Sequence, residues 1–438
     1  MTSAVRASGS SRRSLSALAT CTSLYQAINS IDNSKPAVIL DLGRRLTKVG
    51  FAGEFVPRAI IHSQFLDGSI YGQNTNPSGD QQKLGPTLSV MVKFFRNIFN
   101  SYLLTMPRER RVVIVESMLT PTRLRDLICE ALLEVLNVPS VLFIPSHLAA
   151  TFPYNTDYAL VVDVGYTETV AVPIAEGVTM LSCWEVSNIG ARKLEDRVRE
   201  LLRKHGRIEK WNEVCEIKDE DWNLIEEANI VEDICVRFVF CSPFDRGQAI
   251  QAQGAEHGLP PIKSVKLPLG ADFLLVPGFV REAACEVFFE KGGDDMSLPS
   301  LIHSIVEKCP LDLRKRMFES LLLTGGPSLI PGFLSRLKRR LALGAVEPRA
   351  SRQAELAEDA KASPSKMKQC ESIRFYRFKD QSAEIYLPWL GGSLFGALQD
   401  AVQLRSITRE TWIEERNIPD WTDYVRHGIP CGRPELER

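Results

Sequence analysis

One unit occurs twice in this chain and restricts its fold more than any other feature: an apolar strand that ends in Asp-x-Gly and turns back as a hairpin. AVILDLG leads into LTKVGFAGE, with Asp41 and Gly43 at the strand end and a turn at Gly53. After 122 residues YALVVDVG leads into TETVAVPIAEG, with Asp163 and Gly165 in the same places. Short runs of Val, Ile and Leu bounded by glycine are buried strands. A lone Asp-x-Gly carries little information, but repetition of the whole order predicts two related lobes facing each other.

Around this frame the helices follow their own period. Thr120 and Pro121 read as the N-cap and first turn of a helix with Leu124, Leu127, Ile128, Ala131, Leu132 and Val135 on one face. ARKLEDRVRELLRKHG places Leu194, Val198, Leu201 and Leu202 on one side and charges on the other. A third glycine turn, Gly325 and Gly326 in SLLLTGGPSLIPGF, ends a buried strand and precedes the helix GFLSRLKRRLAL, whose RLKRR reads as a solvated helix end. In PWLGGSLFGALQD, Gly391 and Gly392 open another helix.

Composition narrows the function classes. The 438 residues are 44% hydrophobic and 24% charged, and 53 basic against 54 acidic side chains leave a net charge of −1. No global field favours nucleic acid or an anionic membrane. No apolar run reaches the roughly 18 residues of a membrane-spanning helix. Ten cysteines without a CxxC pair predict no zinc site; Cys129 and Cys235, in apolar stretches, read as buried free thiols of a reducing compartment, cytosol or nucleus. Residues 1–35, with three Arg, much Ser and no acid before Asp32, have a composition shared by targeting presequences and disordered tails; a tail is the expectation. Residues 346–370, charged and free of aromatics, read as a surface insertion.

Two Asp-bearing hairpin turns and a glycine turn are what a cleft needs to hold a nucleotide between lobes. Turn N–H groups cradle phosphates, the carboxylates order the waters of a magnesium ion, and Lys48 neutralises phosphate charge. His147, beside Ser146, reads as a structural histidine.

DLGRRLTKVGFAGEFVPRAI, VVDVGYTETVAVPIAEG, LLTGGPSLIPGF and PWLGGSLFGAL resemble, in order, the signature segments of actin and its relatives, over most of residues 36–412. The resemblance implies an α/β fold of the actin, Hsp70 and sugar-kinase kind: two lobes, each a mixed sheet flanked by helices, around a nucleotide cleft. It divides the chain into a first lobe at 36–165 with a shortened small lobe at about 62–111, a second lobe at 166–345, and a return to the first at 371–438 ending in a divergent tail. It places Asp41, Gly43 and Lys48 on the first phosphate loop, Asp163 and Gly165 on the second, and Gly325 and Gly326 on the adenosine turn. It implies ATP or ADP with magnesium as a structural ligand that is not turned over, or an empty cleft.

The departures from the family pattern bear on activity. Arg44 and Arg45 stand where actin has small residues, so the loop moves or the guanidinium groups point away. They either grip a phosphate or line an exposed rim. Tyr166 and Thr167 replace an Asp and a Gly, and Ser146 and Val170 replace the residues that orient the attacking water, which implies no catalysis. On the adenosine side Glu232, Cys235 and Val236 replace polar and charged contacts.

RRVVIVES, VPSVLFIPSHLAA, EGVTMLSCWE, KCPLDLRKR and IPDW resemble the dynactin branch of the actin-related proteins. That resemblance implies a cytoplasmic, cytoskeletal subunit capping the pointed end of dynactin's short actin-like filament in support of dynein transport. Its partners would be the filament's actin and actin-related subunits and the other pointed-end subunits, with no nucleic acid and no membrane insertion. A nuclear actin-related subunit of a chromatin remodeller and an actin-fold ATPase are the alternatives.

Overall fold

The computed structural model describes residues 35–65, 68–69, 87–211, 213–253, 261–290, 295–344, 373–378 and 381–419. The N-terminal tail before Lys35, most of the loop that would shorten the small lobe, the 346–370 insertion and the tail after Trp421 lie outside the described residues.

Both copies of the repeated unit fold as the sequence predicts, and in the same way. Strand Val38–Leu42 pairs antiparallel with Leu46–Phe51, placing Asp41 opposite Lys48, and parallel with Val112–Glu116. Strand Ala159–Val164 pairs antiparallel with Thr169–Ala175, placing Asp163 opposite Val170, and parallel with Leu321–Thr324. All five residues of the first strand are buried, as the unbroken apolar run requires of a strand covered on both faces.

Each unit anchors a six-stranded mixed sheet. The first runs Ile407–Thr408, Ser140–Pro145, Val112–Glu116, Val38–Leu42, Leu46–Phe51, Ala59–His62. The second runs Val178–Thr179, Thr169–Ala175, Ala159–Val164, Leu321–Thr324, Phe375–Tyr376, with Glu185–Ser187 also on Thr169–Ala175. A four-stranded antiparallel sheet, Glu213–Glu216, Arg207–Lys210, Asp272–Val276, Val265–Leu269, extends the second lobe. Its first hairpin turns at Trp211, whose backbone has φ +51° and whose side chain is 96% exposed.

Apolar clusters cover both faces of the first sheet, and a larger one fills the second lobe. A small cluster of Ala150, Ala159, Val161, Ile174, Leu322 and Leu387 joins elements of both. The result is an α/β fold of two lobes, each a mixed sheet flanked by helices.

Four local expectations need correction. The helix after Pro121 starts at Thr122 and widens into a π-helix over Glu130–Val135. The extra residue per turn rotates the apolar face, so Leu133 is buried and Val135 is 39% exposed. Gly391 and Gly392 lie in the middle of the Leu387–Gly396 helix, not at its start. They let the helix lie flat: a Cβ on Gly391 would come within 1.7 Å of the Ala149 carbonyl oxygen, and one on Gly392 within 2.5 Å of Val115. Trp389 pins the same helix by donating its indole N–H to the Ile39 carbonyl at 3.1 Å.

RLKRR is not wholly solvated. Arg336 lies near the start of the Phe333–Gly344 helix and is buried, its Nη2 3.0 Å from Glu286 Oε2, because the helical period turns it inward beside Phe333 and Leu337. Cys129 and Cys235 are free thiols as the sequence predicts, the first buried and the second half-buried, and Cys183, Cys215 and Cys309 are free too, but Cys241 and Cys285 are joined in a disulfide that the reading of a reducing compartment does not predict. The two strands of chain, 44 residues apart, converge beside the Phe333–Gly344 helix, which no local pattern announces.

Candidate functional site

The ends of the two sheets meet at a cavity of about 450 Å³. Asp41, Gly43, Lys48, Asp163, Gly165, Gly325 and Gly326, singled out from the sequence, all line it. The backbone reason for the glycines differs from one to the next. A Cβ on Gly43 would stand 2.4 Å from the Leu46 carbonyl oxygen, and one on Gly165 2.9 Å from that of Glu168, so both turns close too tightly for a side chain. Gly325 has φ +98°, and its Cβ would meet the Val164 oxygen at 2.0 Å. Gly326 has open space where a Cβ would be, so only the first glycine of that pair is demanded by packing.

Charge on the cavity floor is unbalanced. Lys48 Nζ lies 2.9 Å from Asp41 Oδ2, yet that oxygen accepts no well-aligned hydrogen bond. Asp163 is half-buried on the cavity lining, and its carboxyl is pushed up to about 6 by desolvation, with Lys48 opposing the shift and Asp41 and Glu168 adding to it. Two carboxylates facing one ammonium fit a hydrated divalent cation carried by a polyphosphate. Asp41 and Asp163 would order its waters, Lys48 would meet a phosphate, and the turns at Gly43 and Gly165 would supply N–H groups. Among the described residues no cluster of three or more His, Cys, Asp or Glu forms a metal cage.

The cavity wall differs from its floor. Arg44 Nε is 3.3 Å from Glu168 Oε1, and Arg45 pairs with Glu232 on the Ile230–Arg237 helix. Arg45 also stacks over the Tyr166 ring, 5.5 Å from its centre, and the Tyr166 hydroxyl donates to Glu195 at 3.1 Å. Burial raises the Glu195 carboxyl and pushes the Tyr166 hydroxyl up to about 12. Both arginines therefore point across the cleft to acids of the other lobe, Arg44 from an exposed rim and Arg45 half-buried. Glu168 went unremarked in the sequence; its signal is its place in the second copy's turn, where it matches Leu46 of the first and follows Tyr166 and Thr167, the counterparts of Arg44 and Arg45.

Ser146 and Val170 line the same cavity. A hydroxyl next to a hydrocarbon offers no base for an attacking water. His147 points elsewhere: it is buried, with Nε2 3.0 Å from Thr179 Oγ1, and burial lowers its pKa to about 4, as expected of a structural histidine.

Asp163 and His147 yield a pH prediction. Asp163, raised from 3.8 to about 6, contributes stability that is present below its unfolded value and lost as pH rises through 6. His147, lowered from 6.5 to about 4, contributes stability that is lost as pH falls across that interval. Each shift corresponds to about 3 kcal/mol at most, and water in the cleft lessens the first. Asp163→Asn is thus expected to raise the urea midpoint at pH 8, to match the wild type near pH 4, and to sharpen the acid loss that His147 imposes. Equal midpoints at pH 8 would show that Asp163 carries no burial cost.

With this geometry in place, comparison with known proteins is informative. The family model described as Actin matches residues 87–418, about three quarters of the chain. Actin-related protein 10 of Dictyostelium discoideum is 25% identical over 452 residues, covering 89% of this chain and 90% of that protein. Putative actin-29 of the same organism is 22% identical over 409 residues, covering 87% and 95%. The match starts at the helix at Leu88 and takes in the rest of the first sheet and the second lobe, leaving the first three strands and the Asp41 turn outside it, and on that extent the chain belongs to the actin family.

Proposed function

We propose that this chain is a non-catalytic, structural actin-related subunit of dynactin that caps the pointed end of its short actin-like filament, in the cytoplasm and in support of dynein-based transport. Its partners are then the filament's actin and actin-related subunits and the other pointed-end subunits. The supporting observation is the short stretch between His62 and Arg111, where Leu88–Asn97 and its π-helical continuation to Leu103 already take up sixteen residues. On this reading the 25 residues from 63 to 87 that precede the helix replace the extended loop that inserts into a next subunit, and a subunit without one ends the polymer. The resemblance to a protein named Actin-related protein 10 along most of both chains points the same way.

Within this reading Asp41, Gly43, Lys48, Asp163, Gly165, Gly325 and Gly326 form a site for ATP or ADP with magnesium, held as a structural ligand. Ser146 and Val170, neither of them a base, in the cavity lining support the absence of turnover. Among the described residues no helix is long and apolar enough to cross a membrane.

Purified full-length protein added to growing actin-like filaments is expected to stop elongation at one end only, to co-purify with dynactin subunits, and to release no phosphate from ATP. Elongation from both ends, recovery with remodelling ATPases in place of dynactin, or steady phosphate release abolished by Asp163→Ala would each overturn the reading.

A further inference from the structure

Two ion pairs cross the cleft, and they start from adjacent residues. Arg44 and Arg45 sit in the turn between the first two strands of the first sheet. Their partners, Glu168 and Glu232, lie 124 and 187 residues away in the second lobe. Glu168 belongs to the turn that repeats their own; Glu232 belongs to a helix packed behind it. The charges continue inward. Arg45 covers the Tyr166 ring, Tyr166 donates to Glu195, and Glu195 accepts from Arg199 Nη2 at 3.4 Å. Arg199 Nε in turn donates to Glu226 Oε1 at 2.9 Å. A continuous polar path thus ties the first loop of one lobe to the helices of the other.

An isolated exposed pair contributes little, because solvent screens it and two long side chains must be ordered. Arg44–Glu168 is such an exposed pair, but it adjoins Arg45–Glu232, which is partly shielded and linked to a half-buried tyrosine and a buried glutamate, so the geometry of the second pair is fixed by neighbours. The path bears on shape. The two sheets also meet through a small cluster of apolar side chains and through the His147–Thr179 and Thr324–Glu384 hydrogen bonds, and the arginines add a charged tie across the cleft.

We propose that Arg44 and Arg45 form a clasp that holds the two lobes closed with side-chain charge in place of ligand charge, so that closure of this cleft does not depend on a bound polyphosphate. Both arginines line the cavity, so a polyphosphate held there by Lys48 and the turns offers their guanidinium groups an alternative to Glu168 and Glu232. The carboxylates therefore compete with ligand phosphate for the same cations. The closed state is shared by the empty and the filled protein, and ligand binding is weakened by the cost of breaking the clasp. Nothing in this depends on filament capping.

The test uses full-length protein stripped of nucleotide, with small-angle scattering and thermal unfolding as readouts. Arg45→Glu and Glu232→Arg are each expected to enlarge the radius of gyration and to lower Tm by about 3 °C, and the double exchange to restore both. Because a charge reversal can also disturb folding, Glu168→Gln and Glu232→Gln serve as mild variants. Each is expected to raise the affinity for magnesium triphosphate by about fivefold, since the arginines are released to the ligand. Unchanged scattering in both reversals, a double exchange no better than the singles, or unaltered or weaker triphosphate binding in the glutamine variants would overturn the clasp.

Discussion

Gly391→Val is expected to yield no soluble folded protein, or a fold destabilised by more than 4 kcal/mol, the range reached only by a few mechanisms. The reason is geometric. The Leu387–Gly396 helix lies against the first sheet and against the short helix Ser146–Ala149, and its backbone reaches Ala149 so closely that a Cβ would stand 1.7 Å from that residue's carbonyl oxygen. Ala149 ends a short helix and is fully buried, so its carbonyl has no free space to move into and the Leu387–Gly396 helix would have to lift. Trp389, with its hydrogen bond to Ile39, and Ser393, whose hydroxyl donates to the Glu54 carbonyl at 2.7 Å, would lift with it. Gly326→Ala is the control, because no atom lies within 4 Å of its Cβ position; it is expected to shift stability by no more than about 0.5 kcal/mol. Soluble yield and urea unfolding check both. Wild-type behaviour of the valine variant would mean that the helix does not lie flat.

The buried pair of Glu286 and Arg336 gives the second large effect. Both side chains are almost wholly buried, and Gln251 Nε2 donates to the same Glu286 oxygen at 2.6 Å. The Phe289 ring lies 5.3 Å from the guanidinium carbon, and Gly247 leaves the room that the guanidinium fills. Burial raises the Glu286 carboxyl and lowers the Arg336 guanidinium, so each resists its charged form and only the partner keeps both ionised. Arg336→Leu is therefore expected to cost about 3–5 kcal/mol, most of it from an unpaired buried carboxylate. Adding Glu286→Gln should recover much of that loss, since the charge left behind is what hurts. A urea double-mutant cycle reads this directly. A cost below 1 kcal/mol for the single change would show that water reaches the pair.

These sites also mark where the sequence stops being informative. The paired strands were legible because each is a short apolar run closed by Asp-x-Gly, and pairing then follows from the tight turns. The amphipathic helix Ala191–His205 was legible because Leu194, Val198, Leu201 and Leu202 hold one period throughout. The widening at Glu130–Val135 was not, since a π-turn changes the period without changing the composition. Gly391 looked like a helix start because glycine usually interrupts a helix; its need is set by Ala149, some 240 residues earlier.

The cleft divides in the same manner. Its floor could be read residue by residue from two matching loops, whereas its wall depends on which acid each arginine meets, and charged side chains carry no local mark of their distant partner. The Cys241–Cys285 bond and the inward turn of Arg336 are hidden for the same reason.

The hairpin tip at Trp211 has a practical consequence. Trp222, Trp389 and Trp412 are shielded and Trp184 is half-buried, so among the described indoles Trp211 alone stands in bulk water. Its emission should be red-shifted and readily quenched by iodide, while the shielded rings resist the quencher. The second lobe thus carries its own optical label, and any assembly that covers that hairpin will announce itself as a blue shift without an added dye.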